Sequence, residues 1–174
     1  MAADRAPRNL TWGDIETQTG RIASATGEVG IPHTIVAVVR GGMVPAVLLA
    51  HRLAVRDVRA VEVTHTVDDS TNAAKTARPV ARNAASLGDL SGLDVLVVDD
   101  VAGTGDTLAA SVRLAEQAGA ARVRSAVLVL NEANWTGDRR PHEAVTCIGE
   151  TVGCWVVFPW EENAPASAER EGSP

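Results

Sequence analysis

Two adjacent carboxylates, Asp99 and Asp100, end the apolar run Val95-Leu96-Val97-Val98 and precede Val101-Ala102-Gly103-Thr104-Gly105-Asp106-Thr107. Paired acids at the end of a run apolar enough to be buried can accept hydrogen bonds from a vicinal diol or offer oxygens to a hard cation. Small and hydroxyl residues follow, then a helical pattern, so the loop opens a helix at its N-terminus. Unpaired N–H groups and the positive end of the dipole favour a phosphate there. Thr104 and Thr107 add hydroxyl donors, while Gly103 and Gly105 let the backbone come close to an anion. Diol and phosphate together describe a sugar phosphate, most simply a ribose 5-phosphate. No Gly-Lys-Thr/Ser stands in this stretch, so it is not a Walker A loop. The plain alternative, a generic turn with a capping residue, needs one carboxylate rather than two.

The remaining composition narrows the class. A chain of 174 residues, 45% of them hydrophobic, fits one domain with an ordinary core. Aromatic residues make up only 3%, so that core must be built from Val, Leu, Ile and Ala. A net charge of -6 argues against nucleic acid as a main partner but leaves anionic small substrates open. No apolar run is long enough for a membrane helix, and the N-terminus lacks the apolar stretch of a signal peptide. Cys147 and Cys154 alone indicate neither a disulfide framework nor a zinc pattern, and reduced thiols fit a cytoplasmic enzyme.

These residues must be held by an α/β framework. Thr11 or Asp14 can cap a helix through Ile15, Ile22 and Ala25 that Gly27 and Gly30 stop. Thr34 to Val39, Val58 to Thr66, Asp94 to Val98, Val123 to Leu130 and Ala144 to Ile148 read as strands. Val44 to Ala54, with Pro45 in its first turn, and Asp106 to Gln117 read as helices. Apolar strands alternating with helices predict a parallel twisted sheet covered on both faces. Residues 1–10 are expected to be a flexible N-terminus, 11–162 the domain, and 163–174, rich in Ala, Ser, Glu and Pro, a disordered tail.

Ligands in such sheets bind beyond the carboxyl ends of the strands, where two more loops stand out. In Arg40-Gly41-Gly42 the glycines permit a backbone with exposed N–H groups, and Arg40 offers a fork for phosphate oxygens. An ordinary tight turn with an exposed Arg is the alternative. From Val67 to Leu87 the hydrophobic pattern lapses, which predicts a structureless binding loop or lid. Lys75, Arg78 and Arg82 are then anion contacts or simply solvated charges.

The stretch from Val95 to Leu108 resembles the phosphoribosyl-diphosphate (PRPP) signature of the type I phosphoribosyltransferases. Arg40-Gly41-Gly42 is similar to their pyrophosphate loop, in the form used by the xanthine–guanine enzymes, and Val67–Leu87 falls where they carry a flexible loop. The Ser-Tyr pair that begins that loop in many members is replaced by Thr64-His65-Thr66. Cys154-Trp155-Val156-Val157-Phe158-Pro159-Trp160-Glu161 resembles their base-binding end, with a hydrophobic C-terminal strand as the alternative. In all, the likeness runs from about Thr11 to Glu161.

The resemblance implies the type I phosphoribosyltransferase fold with a small hood from the terminal segments. It implies Mg²⁺-dependent transfer of phosphoribose from PRPP to a ring nitrogen of a heterocycle, most simply a purine, with release of pyrophosphate. Asp99 and Asp100 would hold the ribose diol and the metal. Arg40, Gly41, Gly42, Lys75 and the run Ala102, Gly103, Thr104, Gly105, Asp106 and Thr107 would complete the PRPP site. Asn131, Trp155 and Val156 would meet the base, Trp155 by stacking. A cytoplasmic homodimer or higher homo-oligomer, with no nucleic-acid or membrane partner, is expected. Two departures concern the acceptor: Gly103 stands where the 6-oxopurine enzymes place an acid, and Leu130-Asn131-Glu132 where they place a Lys. An unusual non-purine acceptor, or a PRPP-sensing regulator without catalysis, are the competing readings.

Overall fold

The computed structural model describes residues 6–66, 75–136 and 139–161. Six strands form one sheet in the order β4-β3-β2-β5-β6-β7, built from β2 (Thr34–Val39), β3 (Asp57–Thr66), β4 (Lys75–Ala81), β5 (Asp94–Ala102), β6 (Arg122–Asn131) and β7 (Cys147–Val152). All neighbours are parallel except β3 and β4. A second, two-stranded sheet joins the ends of the chain, β1 (Arg8–Asn9) lying parallel to β8 (Val156–Val157). This is the doubly covered α/β architecture the residue pattern predicts, with the terminal segments as its hood.

Alternation along the strands sorts side chains into two cores. Ile35, Ala37, Leu96, Val98, Ala126 and Leu128 face α1 (Trp12–Val29) and α2 (Met43–Leu53), which bring Ile15, Ile22, Leu49 and Leu53. Val36, Val38, Val95, Val97 and Val127 face α3 (Asp106–Gln117), which brings Leu108 and Ala115. With both faces covered, β2 and β5 have no solvent side and read as continuous apolar runs. Helix α1 begins with a capping box: Thr11 Oγ1 accepts from Asp14 N–H, and Asp14 Oδ2 accepts from Thr11 N–H. Both candidate caps thus act together. The hood gathers three of the five aromatics, Phe158 stacking on Trp160 and Trp160 meeting Trp12 at the start of α1.

Four expectations are corrected. Residues 75–81 form an antiparallel edge strand and 84–87 a short 3₁₀ turn, where a structureless loop is expected; residues 67–74 lie outside the described residues. An edge strand half in solvent needs no continuous apolar run, and Pro79 is tolerated there. The last strand of the main sheet starts at Cys147, because Pro141–Ala144 forms a one-turn helix, α4, led by proline. β5 continues past Val98 to Ala102, carrying both aspartates within the strand. Arg8 and Asn9 sit in β1 rather than in a frayed end, because Arg8 N–H donates to Trp155 O and Leu10 N–H to Val157 O. The expected tail at 163–174 lies outside the described residues. Among those described, no helix is long and apolar enough to cross a membrane.

At the end of the sheet opposite the aspartates, Arg124 is buried and satisfied by Asp94, with Nε and Nη2 at 3.2 and 3.0 Å from the two carboxylate oxygens, and by Thr26 O. Removing one partner of a buried ion pair strands the other charge. Asp94→Ala should therefore lower unfolding free energy by about 3–5 kcal/mol in urea titration; a loss below about 1 kcal/mol, the range of exposed pairs, would show that water replaces Asp94.

Candidate active site

The carboxyl end of β5 approaches the loop that leaves β2. Asp100 lies directly against Gly41: a Cβ there would fall within the Asp100 carboxylate. Gly42 is equally constrained, since a Cβ would stand 2.5 Å from the carbonyls of both Val38 and Val98. Both glycines are needed because two parallel strands converge there with an acid between them. The Val39–Arg40 peptide preceding them is cis, and Arg40 is exposed at the rim.

The two acids sit at an irregularity. Their side chains could serve one ligand only if alternation failed near Asp100. It does: Val98 and Val101 both pack in the α1/α2 core, and Ala102 lies in the α3 core. The pairing of β5 with β6 runs from Asp99↔Val127 to Val101↔Val129 with no pair recorded at Asp100. The acids serve the local backbone themselves. Asp100 N–H donates to Asp99 Oδ1 at 3.0 Å, and Val101 N–H to Asp100 Oδ1 at 2.7 Å. Burial pushes Asp99 well above the ordinary carboxylate range, with the charge of Asp100 adding to the rise. Asp100 is pushed up to about 6, again chiefly by burial, with the charge of Glu161 contributing. Glu161, from the end of the hood, thus belongs to the electrostatics of this site, although no spacing in the sequence links it to Asp100.

Beyond the acids, Gly103, Thr104 and Gly105 lead into α3. Gly105 is the N-cap in the left-handed region (φ 85°), and among the described residues no side chain caps the helix. The first N–H groups of α3 therefore face the loop without a side-chain acceptor, as an anion cradle requires. Trp135 covers this loop from the segment after β6. Its ring would stand 2.5 Å from a Cβ on Gly105, and its Nε1–H donates to Arg139 O. A Trp four residues past β6 reads from sequence only as a loop cover; that it seats on Gly105 depends on the fold. On the other side, His65 Nε2 lies 3.3 Å from Asp106 Oδ2. Ala102 has its side chain in the α3 core, so it can meet a ligand only through its backbone.

The acceptor candidates are placed differently from one another. Trp155 is exposed, immediately before β8. Val156 has its side chain in the α1/α2 core. Since β1 takes the carbonyls of Trp155 and Val157, the Val156 peptide points away from β1. Asn131 is buried; its Nδ2 donates to Cys154 O at 3.0 Å and its Oδ1 accepts from Ala133 N–H. Asn131 is thus the brace that holds the Cys154–Trp155 turn against the end of β6. Lys75 opens β4 opposite Thr66, Arg78 is exposed, and Arg82 pairs with Glu62 at 3.5 Å.

Residues 12–165 match the model of the phosphoribosyl transferase domain. The chain belongs to the phosphoribosyltransferase family. It is 26% identical over 160 residues to a xanthine–guanine phosphoribosyltransferase of Roseobacter denitrificans, covering 88% of this chain and 84% of that one. A purine phosphoribosyltransferase of Pyrococcus horikoshii superposes with a TM-score of 0.71 at 28% identity, over 91% and 96% of the two chains. A protein of Neisseria gonorrhoeae, solved with bound ppGpp, shares the fold with a TM-score of 0.75 at 22% identity, over 92% and 93% of the two chains. Each of these likenesses spans β5, the glycine loop and α3 together.

Both acids of this phosphoribosyltransferase hold protons more tightly folded than unfolded. The stability that follows is present below the unfolded carboxylate value of about 4 and is lost as pH rises through about 6. Metal-free wild-type protein should therefore lose thermal stability relative to Asp100→Asn between about pH 4 and pH 7. Melting curves that stay parallel over that interval would show that Asp100 is not held protonated by burial.

Proposed function

We propose that the enzyme transfers the 5-phosphoribosyl group of PRPP to a ring nitrogen of a purine, with Mg²⁺, releasing pyrophosphate. The observation that carries this reading is the juxtaposition of a buried acid pair with the uncapped start of α3. Groups suited to a diol and to a phosphate follow one another from the end of β5 to the start of α3, in the order a ribose 5-phosphate presents them, which supports this reading. The relatives named as purine and xanthine–guanine enzymes support a purine as acceptor.

The donor set fits magnesium. Two hard oxygen ligands that burial pushes toward protonation, with Asp100 adding to the rise of Asp99 and Glu161 to that of Asp100, are stabilised as anions by a divalent cation. Among the described residues no cluster of three or more His, Cys, Asp or Glu could hold a metal alone. Magnesium suits such a site, since it takes one or two carboxylates and completes its shell with water and substrate phosphate oxygens. When bound, it would neutralise charge on the departing pyrophosphate.

The chain supplies position and electrostatics. Asp99 and Asp100 accept from the ribose hydroxyls and offset the positive charge that develops on the ribose as the anomeric bond to pyrophosphate breaks. The N–H groups of residues 103–107, with the Thr104 and Thr107 hydroxyls, fix the 5-phosphate. Arg40 and the Gly41-Gly42 backbone face the pyrophosphate side. Lys75 and Arg78, on the arm beside the cleft, are further candidates for that side. Trp155 stacks on the incoming base, and the Val156 peptide meets its edge. At Gly103 the nearest group to a missing Cβ is Asn134 at 3.8 Å, so the acceptor rim here is neutral where the xanthine–guanine enzymes present an acid.

A panel of bases with PRPP and Mg²⁺ should give pyrophosphate release with a purine. Silence across purines and other heterocycles, with PRPP still bound, would favour a PRPP-sensing regulator. Asp100→Asn should lower kcat/KM for PRPP by roughly 10- to 100-fold, the range of a lost charge-assisted hydrogen bond. Trp155→Ala should raise KM for the base by about 3- to 10-fold, the range of an aromatic stack, and leave KM for PRPP nearly unchanged. The opposite pattern would remove Trp155 from the acceptor site.

A further inference from the structure

Asp106 is an unexpected residue for a phosphate site. It opens α3 as the one acid of the first turn, where a carboxylate suits the empty helix dipole but is like-charged to a phosphate. It does not cap the helix. Its Oδ2 instead lies 3.3 Å from Nε2 of His65, a ring with only 10% of its side-chain surface exposed. His65 follows Val61 and Val63 on the face of β3 that looks toward α3. Its other nitrogen, Nδ1, lies 3.3 Å from Thr76 Oγ1 on the neighbouring strand, and that hydroxyl donates to Arg78 O at 2.7 Å. The ring is thus clamped at both nitrogens, between the base of the β3–β4 arm and the start of α3. Because Thr76 gives its one hydroxyl proton to Arg78 O, its oxygen meets Nδ1 as an acceptor, while Nε2 faces the Asp106 carboxylate at ion-pair distance.

We propose that His65 is a positioning residue for the phosphate loop. It draws the Asp106 carboxylate sideways, off the axis of α3, and binds its charge. The N–H groups of residues 106 and 107 are then left to the substrate phosphate without a competing anion. Thr76 sets the ring plane for this task. Trp135 on Gly105 fixes the loop from the opposite side, so the start of α3 is held between two aromatic rings. The proposal rests on the phosphoribosyl reading above and adds a residue that neither the acid pair nor the glycine loop includes.

A double-mutant cycle tests it, with PRPP affinity by calorimetry and steady-state kinetics on the full chain. His65→Ala should raise KM and Kd for PRPP by about tenfold, as an unshielded like charge beside a phosphate would, while kcat and KM for the base change by less than about threefold. In the Asp106→Asn background the same His65→Ala change should cost PRPP affinity less than about threefold, because the charge it restrains is gone. His65→Gln, which keeps a donor and folds more conservatively, should lose less than His65→Ala. Equal losses from His65→Ala in both backgrounds, or a loss in kcat rather than in PRPP affinity, would overturn the proposal. A wild-type chain that binds no PRPP would overturn the phosphoribosyl reading itself, and this one with it.

Discussion

Asp100 cannot be separated from Gly41. The carboxylate occupies the space a side chain on the β2 loop would need, so a half-buried acid on one strand dictates a missing side chain on the next. The dependence runs outward from there. Gly42 must also lack a Cβ, since the carbonyls of Val38 and Val98 close around it, and only this tight pairing lets the β2 loop meet the acids. The failed alternation at Asp100 follows from the same crowding. Asp100 is turned toward the glycines, and the two carboxylates accept the N–H groups of Asp100 and Val101 beside that irregularity. A regular strand would have been simpler to build and would have sent the acids to opposite faces.

The cost of this arrangement is electrostatic, and the fold is organised to carry it. Burial disfavours both carboxylates as anions, and the charge of Asp100 disfavours Asp99 further. The cores on either side of β5 contain Val, Leu, Ile and Ala and are rigid through close packing rather than through polar networks. The buried Arg124–Asp94 pair lies at the far end of the same strand, away from the acids. Strain is thus concentrated where a cation and a diol can relieve it.

Much of this was legible because buried parallel strands leave a plain mark. Thr34–Val39 and Asp106–Gln117 have the limits in the structure that their residue types predict, since β-branched runs bounded by polar residues have few other fates. The edge of the sheet was not legible. β4 carries Lys75, Arg78 and Pro79, a mixture that reads as loop, because an edge strand is specified by its neighbour's hydrogen bonds more than by its own burial. The tertiary contacts of the loop were hidden for a different reason. His65 with Asp106, and Trp135 with Gly105, join residues from separate elements whose approach depends on sheet order, which no local pattern encodes.

The proposed acceptor side resists reading from side chains because it would be made largely from backbone. Val156 turns its side chain into the core and offers its peptide edge; Asn131 spends its amide on Cys154 and Ala133. Substituting such residues changes little of what a base would meet, so their identities carry little information about it. What remains variable is the neutral rim: Gly103, with Asn134 beside it, and the exposed face of Trp155. A charged acid or lysine at that rim would discriminate among bases by protonation and tautomer. A neutral amide can adapt as donor or acceptor, and discrimination then falls to the shape of the stack and to the fixed donors and acceptors of the peptide edge. On the proposed function, the donor half of this phosphoribosyltransferase is specified by charge and the acceptor half by shape.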